Sequence, residues 1–439
     1  MKILFLNRVY PPADGATGEL LADLAPELAR NGWQVTIITS RATKMSLSSE
    51  IVNGVRVERV NSLPFTRASH WRRALSYLTV YPALLWRALR LPPADVVVTL
   101  TDPPLLLLLG PLLKWTKGSS LVHWAQDMYP EIAEEIGVLS KGGWFAGLCR
   151  RSSTWGLRQH DRVIVVGRCM KERFRQRGLS EGAIVVIPNW GQGAHRVPAA
   201  AGQISAMANP SDAGMAGAET AREKNPFRGE HKLEGRFVAM YSGNFGLAHD
   251  FQAMLEAAAR LVSRRPEILF LFIGAGPRLA GLKEQVETLR LSNVHFLPAQ
   301  PIARLAHALS GADLHLVSML PNLPGLVVPS KVYGVLVAGR PCIFIGPKES
   351  EAARIIEQYR CGSVIDPYDG EALAQCLLEW ASNPERLRTA SQHAARAAEL
   401  FTVSSAAEAF RDVLRGTRRS VSCTDGELVP QQIPNKTQT

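Results

Sequence analysis

Short runs of consecutive apolar residues alternate along the chain with segments in which apolar residues recur every three or four positions. The runs at 2–7 and 237–242 are examples, and each ends in a polar residue. Runs of this kind predict strands that are buried on both faces, as they are in parallel sheets. Between such runs, Leu20, Leu24 and Leu28 have the spacing of an amphipathic helix. The alternation predicts an α/β fold with parallel sheets.

A change in composition near the middle of the chain separates two such patterns. Residues 191–235 are rich in Ala, Gly, Ser, Asn and Pro and have no hydrophobic period, which predicts a linker with a flexible insertion. The 439 residues are enough for two domains with cores of their own, at 1–190 and 236–400. A helix is predicted at 401–417, and the polar residues 418–439 are expected to be disordered.

The charge balance is basic, with a formal net charge of +11, which suits nucleic acid, a membrane surface or anionic substrates. The sequence has no zinc-ligand spacing, no aromatic RNA-binding motif and no basic helix with heptads, so no nucleic-acid partner is expected. Its six cysteines show no CxxC spacing, which favours a reducing compartment over a disulfide framework. No apolar run reaches the roughly 18–20 residues of a membrane-spanning helix, and the N-terminal run lacks a cleavage-site pattern. A cytoplasmic location is therefore expected.

The segment 67–91 departs from the pattern of a soluble domain. Trp71, Leu75, Leu78 and other apolar residues recur every three to four positions, and five arginines surround them. Aromatic and leucine side chains suit the headgroup zone of a bilayer, and arginines suit lipid phosphates. We expect a helix on the inner surface of the membrane, kinked or divided at Pro82. The alternative is an ordinary packed helix pair with a basic outer face.

The stretch 316–346 reads as strand, irregular loop, short helix and strand. Pro329 is suited to the first turn of the helix and Gly339 to its end. Loop amides and the positive end of a helix dipole form an anion site, to which Ser330 adds a hydroxyl and Lys331 a positive charge. The loop residues that would supply the amides are Gly325, Leu326, Val327 and Val328. We expect a diphosphate here, and the alternative is a βα connection in which proline provides rigidity.

Three further loops follow predicted strands and lie where ligands bind in open α/β sheets. Gly243 and Asn244 follow the first strand of the second domain, and Gly274 follows its second strand. Glycine allows a ligand to approach the backbone closely. In the first domain, the corresponding loop carries three candidates: Gly15, Thr17 and Gly18. Its spacing is not the dinucleotide fingerprint.

Polar residues also follow the predicted strand at 120–125. Gln126 and Asp127 come directly after it, and Glu131 stands four residues further on. Carboxylates at the C-terminal edge of a parallel strand face the binding crevice, so Asp127 is expected to orient a substrate. Glu131 either joins it or serves as a first-turn charge that complements a helix dipole.

Several of these motifs together resemble the family 4 glycosyltransferases with the GT-B fold, and they recur in order over most of residues 1–416. The resemblance is to bacterial cell-surface polysaccharide enzymes, including those that transfer fucose or N-acetylfucosamine. It is carried by Pro329-Ser330-Lys331, Tyr333-Gly334, Ala338-Gly339-Arg340-Pro341 and the segment 126–131. The resemblance implies two Rossmann-like parallel-sheet domains facing a cleft. The acceptor would bind 1–190, the nucleotide-sugar would bind 236–400, and the helix at 401–417 would return toward the first domain.

The resemblance implies a retaining transfer from a nucleotide-sugar to a glycan or polyprenyl-linked acceptor in the biosynthesis of surface polysaccharides such as exopolysaccharide or lipopolysaccharide. No metal and no cofactor are expected. Gln300 lies in the loop that approaches the nucleobase, and Asp127 and Lys331 are the residues assigned to catalysis. The enzyme would be hexosyltransferase-like and peripheral on the inner face of the cytoplasmic membrane.

The sequence departs from the family pattern at three places. Gln126 stands where many members have a histidine, and the two glutamates of the central segment are replaced by Leu326 and Gly334. The Arg and Lys that often grip the donor phosphates after the first glycine turn of the second domain are absent, and we expect Lys331 to supply the missing charge. Two alternatives stay open: a sugar-nucleotide epimerase of the GT-B fold, and a non-catalytic nucleotide-sugar-binding partner in a glycosyltransferase complex.

Overall fold

The computed structural model describes residues 1–13, 15–41, 47–63, 70–191 and 225–419, with the side chains of 70–74, Ile302 and 418–419 left out. Most of the predicted linker and the predicted disordered tail therefore lie outside the described residues. The chain forms two compact units. The first comprises Met1–Glu131, Gly142–Pro188 and the segment that starts at Val403, and the second comprises Ile132–Lys141 and Asn189–Thr402.

The first unit is built on an eight-stranded sheet. Its strands are β1 (Lys2–Leu6), β2 (Gln34–Ser40), β3 (Ser49–Val52), β4 (Val55–Val60), β5 (Val96–Thr99), β6 (Ser120–Ala125), β7 (Arg162–Val165) and β8 (Ile184–Val186). Their order in the sheet is β3-β4-β2-β1-β5-β6-β7-β8. All neighbours are parallel except β3 and β4, which form an antiparallel pair joined at Asn53-Gly54.

Helices cover this sheet. They are α1 (Ala16–Arg30), α2 (His70–Arg90), α3 (Gly110–Lys117), α5 (Trp144–Gln159) and α6 (Arg168–Gln176). The short helix α4 (Glu131–Glu135) starts at the last residue of the segment Met1–Glu131, and its other residues belong to the second unit. Val80, Leu84 and Ala88 of α2 share a core with Leu6 and Val97 of the sheet. Of the two outcomes predicted at Pro82, division of the helix is wrong, because α2 runs through it without interruption, and a kink stays a prediction.

The second unit is built on a six-stranded sheet that is parallel throughout. Its strands are β9 (Phe237–Ser242), β10 (Ile268–Ile273), β11 (Val294–Leu297), β12 (Leu314–Ser318), β13 (Cys342–Ile345) and β14 (Gly362–Ile365). Their order is β11-β10-β9-β12-β13-β14. The inner strands β9, β10, β12 and β13 are buried almost throughout, as is expected of a parallel sheet covered on both faces, whereas the edge strands β11 and β14 are partly exposed.

The helices of the second unit alternate with its strands. They are α7 (Pro226–Glu230), α8 (Gln252–Leu261), α9 (Leu279–Thr288), α10 (Ile302–Ser310), α11 (Lys331–Val337), α12 (Glu351–Gln358), α13 (Gly370–Ala381) and α14 (Pro384–Ala398). One core contains a cluster of aromatic rings contributed by β9, β10 and the segment before α8, in which Tyr241, Phe245, Phe251 and Phe272 contact one another.

Residues 225–235 differ from the predicted linker. Phe227 and Leu233 are buried, and the Arg228 guanidinium donates to the carbonyl oxygens of Leu233 and Gly311. Arg228 also pairs with Asp313 at 3.3 Å. This segment is therefore part of the second unit, and a buried arginine with several acceptors fixes it there.

The helix α15 (Val403–Arg419) belongs to the first unit. Phe410 is fully buried and meets the Trp124 ring edge-on, with 4.8 Å between centroids. Arg411 donates to the side-chain oxygen of Asn31 at 2.7 Å. Apolar and polar contacts together hold this helix against α1 and β6.

Candidate active site

The candidate donor site lies at the point where the strand order of the second sheet reverses. β9 is the first strand of this unit, and it has β10 on one side and β12 on the other. Connections from β9 and β12 therefore leave in opposite directions, and a crevice opens at their carboxyl ends. The loops that follow β9, β10 and β12 carry most of the predicted donor-binding residues.

Glycines let the first two of these loops pack against each other. A Cβ atom at Gly274 would lie 1.9 Å from the carbonyl oxygen of Gly243, and one at Gly276 would lie 2.6 Å from the backbone of Phe245. The Phe245 amide donates to the carbonyl oxygen of Ala275 at 2.9 Å. The packing of the loops therefore explains why glycine occupies positions 274 and 276, because a side chain at either position would separate the loops.

Lys331 reaches the turn that follows β9. Its Nζ lies 2.7 Å from Nε2 of His249 and 5.2 Å from the centroid of the Tyr241 ring. A Cβ atom at Gly243 would lie 2.7 Å from Cε of Lys331, so the aliphatic stem of the lysine occupies the space that a larger residue would fill. The structure thus places this ammonium at the turn where the sequence lacks the expected Arg and Lys.

The charge of Lys331 is not matched by a carboxylate among the described residues. Burial lowers the pKa of its ammonium from 10.5 to about 7, because a charged group loses hydration there without gaining a counter-ion. At neutral pH the Lys331 side chain is therefore charged in some molecules and a neutral amine in the others. An anion that bound beside it would restore the charged form.

His249 holds the lysine in place. Its Nδ1 lies 2.7 Å from the carbonyl oxygen of Ser318, and a carbonyl can only accept, so Nδ1 carries the proton and Nε2 accepts from Lys331. The pKa of His249 falls to about 3, first because of burial and then because of Lys331 and Arg278. The imidazole is therefore neutral and positions the amine.

Arg278 is a second cation that the sequence analysis did not identify. Its guanidinium donates to the carbonyl oxygen of His249 and lies over the Phe251 ring, 5.6 Å from its centroid. The side chain is exposed, and no carboxylate of the described chain pairs with it. Its position directly after the Gly274-Ala275-Gly276 loop was the available signal.

The loop before Lys331 has fewer free hydrogen-bond donors for an anion than the sequence predicted. The amide of Leu326 already donates to the carbonyl oxygen of Leu323 at 2.9 Å. Ser330 caps α11 without a side-chain hydrogen bond, and this helix has only seven residues. The expectation that Leu326 supplies a free amide is therefore wrong, and a short helix contributes little dipole. The lysine carries most of the charge.

The remaining predicted donor residues occupy the same sheet edge. Asn244 is exposed, and its carbonyl oxygen accepts from the Tyr241 hydroxyl at 2.8 Å. Gln300 is half-buried after β11, and its amide donates to the carbonyl oxygen of Pro298 at 2.9 Å. The loop residues Gly325 and Val328 are buried.

Two further loop positions and the missing glutamates complete the donor side. Val327 is half-buried and bridges to Pro324. Leu326 is buried in the loop, and Gly334 is half-buried within α11. An apolar loop residue and a glycine thus occupy the two positions where the family has glutamates.

Asp127 lies in a small cavity of the first unit. Thr101, His123, Tyr129 and Arg177 are among its lining residues. Burial, and then the charge of Asp102, raise the pKa of Asp127 from 3.8 to about 7. A half-buried carboxyl with such a pKa exchanges its proton near neutral pH, which is a property of acid–base and substrate-orienting groups.

Glu131 and Gln126 have different surroundings from Asp127. Glu131 opens α4 and contacts two arginines, Arg150 at 3.2 Å and Arg177 at 3.4 Å. Its Oε2 is buried and has no hydrogen-bond partner among the described residues. Within the first unit, these ion pairs join Glu131 to α5 and to the residue that follows α6, which is a structural role. Gln126 is buried beside Asp127.

The glycine loop of the first unit is packed against its own strand. A Cβ atom at Gly18 would lie 2.9 Å from the carbonyl oxygen of Val9, and one at Gly15 would contact the Val9 side chain at 3.1 Å. The hydroxyl of Thr17 accepts from the Asn7 amide at 3.3 Å. Close approach of α1 to the loop accounts for Gly18, whatever binds there.

Within the described residues, no group of three or more His, Cys, Asp or Glu side chains has a metal-binding arrangement. None of the described helices combines the length and apolarity that crossing a membrane requires.

Comparison with known proteins identifies the fold and the family. Two family models match the chain, a glycosyl transferase 4-like domain over residues 15–190 and glycosyl transferases group 1 over residues 223–398. WbjE of Pseudomonas aeruginosa, named as a probable glycosyltransferase, is 28% identical over 285 residues, which cover 65% of this chain and 66% of WbjE. WcaI of Escherichia coli (strain K12), which carries the name of a colanic acid biosynthesis glycosyl transferase, is 24% identical over 420 residues, or 90% of this chain and 96% of WcaI.

A crystal structure of Anabaena HepE in complex with UDP-glucose has the same fold. It superposes with a TM-score of 0.69 at 17% identity and covers 95% of this chain and 100% of HepE. Two parallel-sheet α/β units of this kind define the GT-B class of protein. The chain belongs to the family 4 glycosyltransferases of that class, and it is a glycosyltransferase.

Proposed function

We propose that this glycosyltransferase moves a sugar, with retention of anomeric configuration, from a nucleoside diphosphate sugar to a glycan or lipid-linked glycan in surface polysaccharide biosynthesis. Lys331 and Arg278 bind the diphosphate of the donor. Asn244 and Gln300 contact the rest of the nucleotide-sugar, and Asp127 orients the acceptor. The retaining outcome is part of the proposal because the chain belongs to family 4.

One observation carries the donor site: a cation without a carboxylate partner lies on a glycine turn at the switch point of the second sheet. The Lys331 ammonium is half-buried, hydrogen-bonded to a neutral imidazole, and reaches the turn past Gly243. Burying a charge without a counter-ion is unfavourable, so a protein that keeps one at a ligand crevice keeps it for an anion. A diphosphate fits, because it brings two negative charges to an edge that also holds Arg278.

The same cations explain how the enzyme would promote transfer. As the bond between the sugar and the diphosphate breaks, negative charge grows on the departing phosphate oxygens. A fixed ammonium beside those oxygens stabilises the transition state more than the ground state, since the charge is larger there. Binding of the donor raises the pKa of Lys331 and draws a proton from solvent, so the ammonium is fully charged when the bond breaks.

The acceptor class is supported by the relatives. The name of WcaI places that protein in colanic acid biosynthesis, and this supports a glycan acceptor for the present chain. Asp127 is the acceptor-side candidate because it lines a small cavity just after the end of β6 and its pKa is raised to about 7. An ionised carboxylate there would accept a hydrogen bond from an acceptor hydroxyl.

A nucleotide-sugar screen tests the proposal. UDP-, GDP- and dTDP-sugars are scored by thermal shift and by slow hydrolysis of the donor without acceptor, beginning with the UDP series because HepE was crystallised with UDP-glucose. We expect one nucleotide series to stabilise the protein and to be hydrolysed. With an acceptor, NMR of the product is expected to show the anomeric configuration of the donor.

Each other outcome has a defined meaning. Inversion in the product would overturn the retaining mechanism, and binding without hydrolysis or transfer would favour the non-catalytic alternative. Interconversion of the sugar on the intact nucleotide would indicate an epimerase. If no nucleotide series shifts the melting temperature, the donor site is assigned wrongly.

A further inference from the structure

Large apolar side chains are exposed on three neighbouring helices of the first unit. Among the residues that the structure describes, sixteen large hydrophobic side chains are exposed, and nine of them lie on α2, α3 and α5. The largest exposed fractions on these helices are those of Trp115 at 84% and Trp144 at 82%. Single exposed apolar residues need no explanation, but such a concentration marks an interaction surface.

Two of these helices, α2 and α5, each carry apolar residues on two opposite sides. In α2, Val80, Leu84 and Ala88 are buried, while Leu78 and Trp86 stand on the other side of the helix and are 68% and 59% exposed. Core packing accounts for the first stripe and leaves the second unexplained. An outward stripe in which Leu and Trp lie eight positions apart is the pattern of a helix with a second apolar partner.

The helix α5 repeats this arrangement. Leu157 and Ala146 are buried, whereas Trp144, Leu148 and Trp155 fall on the opposite side and are 82%, 53% and 54% exposed. The exposed stripe also contains Arg151. A tryptophan stripe interrupted by a cation is typical of helices that lie in the headgroup region of a bilayer.

Polar contacts join the three helices into one surface. The Lys117 ammonium at the end of α3 donates to the carbonyl oxygen of Leu91, just after α2, at 3.0 Å. Lys114 pairs with Asp161, just after α5, at 2.7 Å. The helix α3, with its exposed Trp115, therefore lies between the other two.

The charged residues of the three helices are all basic, and neighbouring segments pair with some of them: Arg87 with Glu58, Lys114 with Asp161 and Arg150 with Glu131. The helix α2 contains four arginines, α3 two lysines and α5 three arginines, and none of the three contains Asp or Glu. The Arg90 guanidinium lies 4.2 Å from the centroid of the Trp86 ring, which brings a cation and an aromatic ring together at the surface. The partner of such a surface is negatively charged and has an apolar interior.

We infer that α2, α3 and α5 together form a docking surface for an anionic lipid bilayer, with their tryptophans in the headgroup–acyl boundary and their arginines on lipid phosphates. This enlarges the surface expected from 67–91, because α3 and α5 supply six of its nine exposed apolar side chains. Its biological reason rests on the proposed function, since a lipid-linked acceptor lies at such a surface. A second copy of the chain is a poor partner, because an isologous contact would place like charges against each other.

Vesicle binding tests the inference. The wild-type protein and a variant with Trp115→Ser, Trp144→Ser and Trp155→Ser are sedimented with vesicles of phosphatidylcholine alone or of equal parts phosphatidylcholine and phosphatidylglycerol. We expect the wild type to bind the anionic vesicles, and the variant to bind at least about tenfold more weakly. The double substitution Arg151→Gln and Arg158→Gln should lower the partition coefficient about fivefold per arginine and reduce its salt dependence.

The matched control is Leu247→Ser with Leu289→Ser, which removes two apolar side chains that are 45% and 53% exposed on the second unit. We expect this control to bind vesicles as the wild type does. The inference is overturned if the wild type ignores anionic vesicles, if the tryptophan variant binds them normally, or if light scattering shows a dimer that the variant abolishes. Donor hydrolysis in solution is measured in parallel. Vesicle binding without hydrolysis would support the docking surface and refute the proposed function. Hydrolysis without vesicle binding would refute the docking surface and support the proposed function.

Discussion

Replacement of Lys331 by methionine should have opposite effects on stability and on donor binding. Methionine keeps an unbranched apolar side chain of similar length beside Gly243 and removes the amine with its charge. A pKa that falls from 10.5 to about 7 corresponds to about 5 kcal/mol of unfavourable burial of the charged form, at about 1.4 kcal/mol per pKa unit. Because the pKa in the folded state is lowered, this penalty is complete below about pH 7 and disappears as the pH rises toward 10.5.

Part of that gain is offset in the variant. The hydrogen bond to His249 and the contact with the Tyr241 ring are lost, and the Nε2 atom of His249 is left without its donor, which together cost about 2–4 kcal/mol. We therefore expect Lys331→Met to be more stable than the wild type by about 1–3 kcal/mol at pH 6.5. For a unit of this size the melting temperature should rise by about 2–4 °C for each kcal/mol.

In contrast to stability, donor binding and the rate of transfer should both decrease in Lys331→Met. Removal of one fixed group that stabilises departing negative charge lowers the rate by about 100- to 1000-fold, and the thermal shift given by the nucleotide-sugar should be lost. The control is Lys283→Met, which removes an exposed lysine of the same unit whose Nζ lies 5.7 Å from the centroid of the Phe296 ring. A variant of Lys331 that melts several degrees lower, or that binds the donor as the wild type does, would refute the reasoning.

Three further predictions concern backbone strain, catalysis and acid stability. Gly243→Ala places a Cβ atom 2.7 Å from Cε of Lys331 at a φ of 136°. We expect the free energy of unfolding, measured with denaturant, to fall by about 1–3 kcal/mol and donor binding to weaken at least about tenfold. The control Gly281→Ala, in open space on a helix, should stabilise the protein by about 0.5–1 kcal/mol. In the wild type, kcat/KM should rise with pH through about 7 as Asp127 ionises, and Asp127→Asn should have a lower kcat/KM without that rise; an unchanged profile would exclude Asp127. Burial lowers the pKa values of His123 and His160 to about 3 and 4. As the pH falls below 6.5, each histidine therefore lowers the free energy of unfolding, by about 3 kcal/mol at pH 4. His160→Gln should flatten the plot of unfolding free energy against pH, and an equally steep plot would contradict this.

Most of the strands were predictable from the sequence because they are short apolar runs with polar or glycine boundaries, whereas β3 and β4 contain charged residues. The apolar content of 237–242 is required by burial on both faces of a parallel sheet, and β9 occupies that range. The segment 225–235 could not be assigned in the same way. Its attachment depends on Arg228 finding carbonyl oxygens of Gly311 and Leu233, and local composition contains no information about such distant partners.

The candidate site was predictable in its residue types and less so in its geometry. The sequence predicts that Lys331 supplies the charge of a missing pair, because its family position and the absence of Arg and Lys after Gly243 are both visible in the sequence. The structure places the lysine stem beside Gly243, and its role in donor binding stays a prediction. The role of Arg278 depends on the path of the β10 loop past His249, which only the folded chain shows. The engaged amide of Leu326 was missed because turns within an irregular loop leave no periodic signal.

The exposed tryptophans of α3 and α5 show a related limit of pattern reading. An amphipathic helix predicts which residues face the core, but Trp144 and Trp155 on the other face look the same in sequence as tryptophans that pack inward. Only the buried positions of Ala146 and Leu157 identify which stripe faces outward.

The most direct test of the donor site is chemical modification of Lys331. Pyridoxal phosphate followed by borohydride labels lysines whose amine is neutral and which lie in phosphate sites, and peptide mass spectrometry locates the label. Because the pKa of Lys331 is lowered to about 7, we predict that it is labelled first at pH 7.5, and that the nucleotide-sugar found in the screen protects it. Labelling spread over exposed lysines with Lys331 unmodified, or labelling of Lys331 that the donor does not slow, would contradict the account.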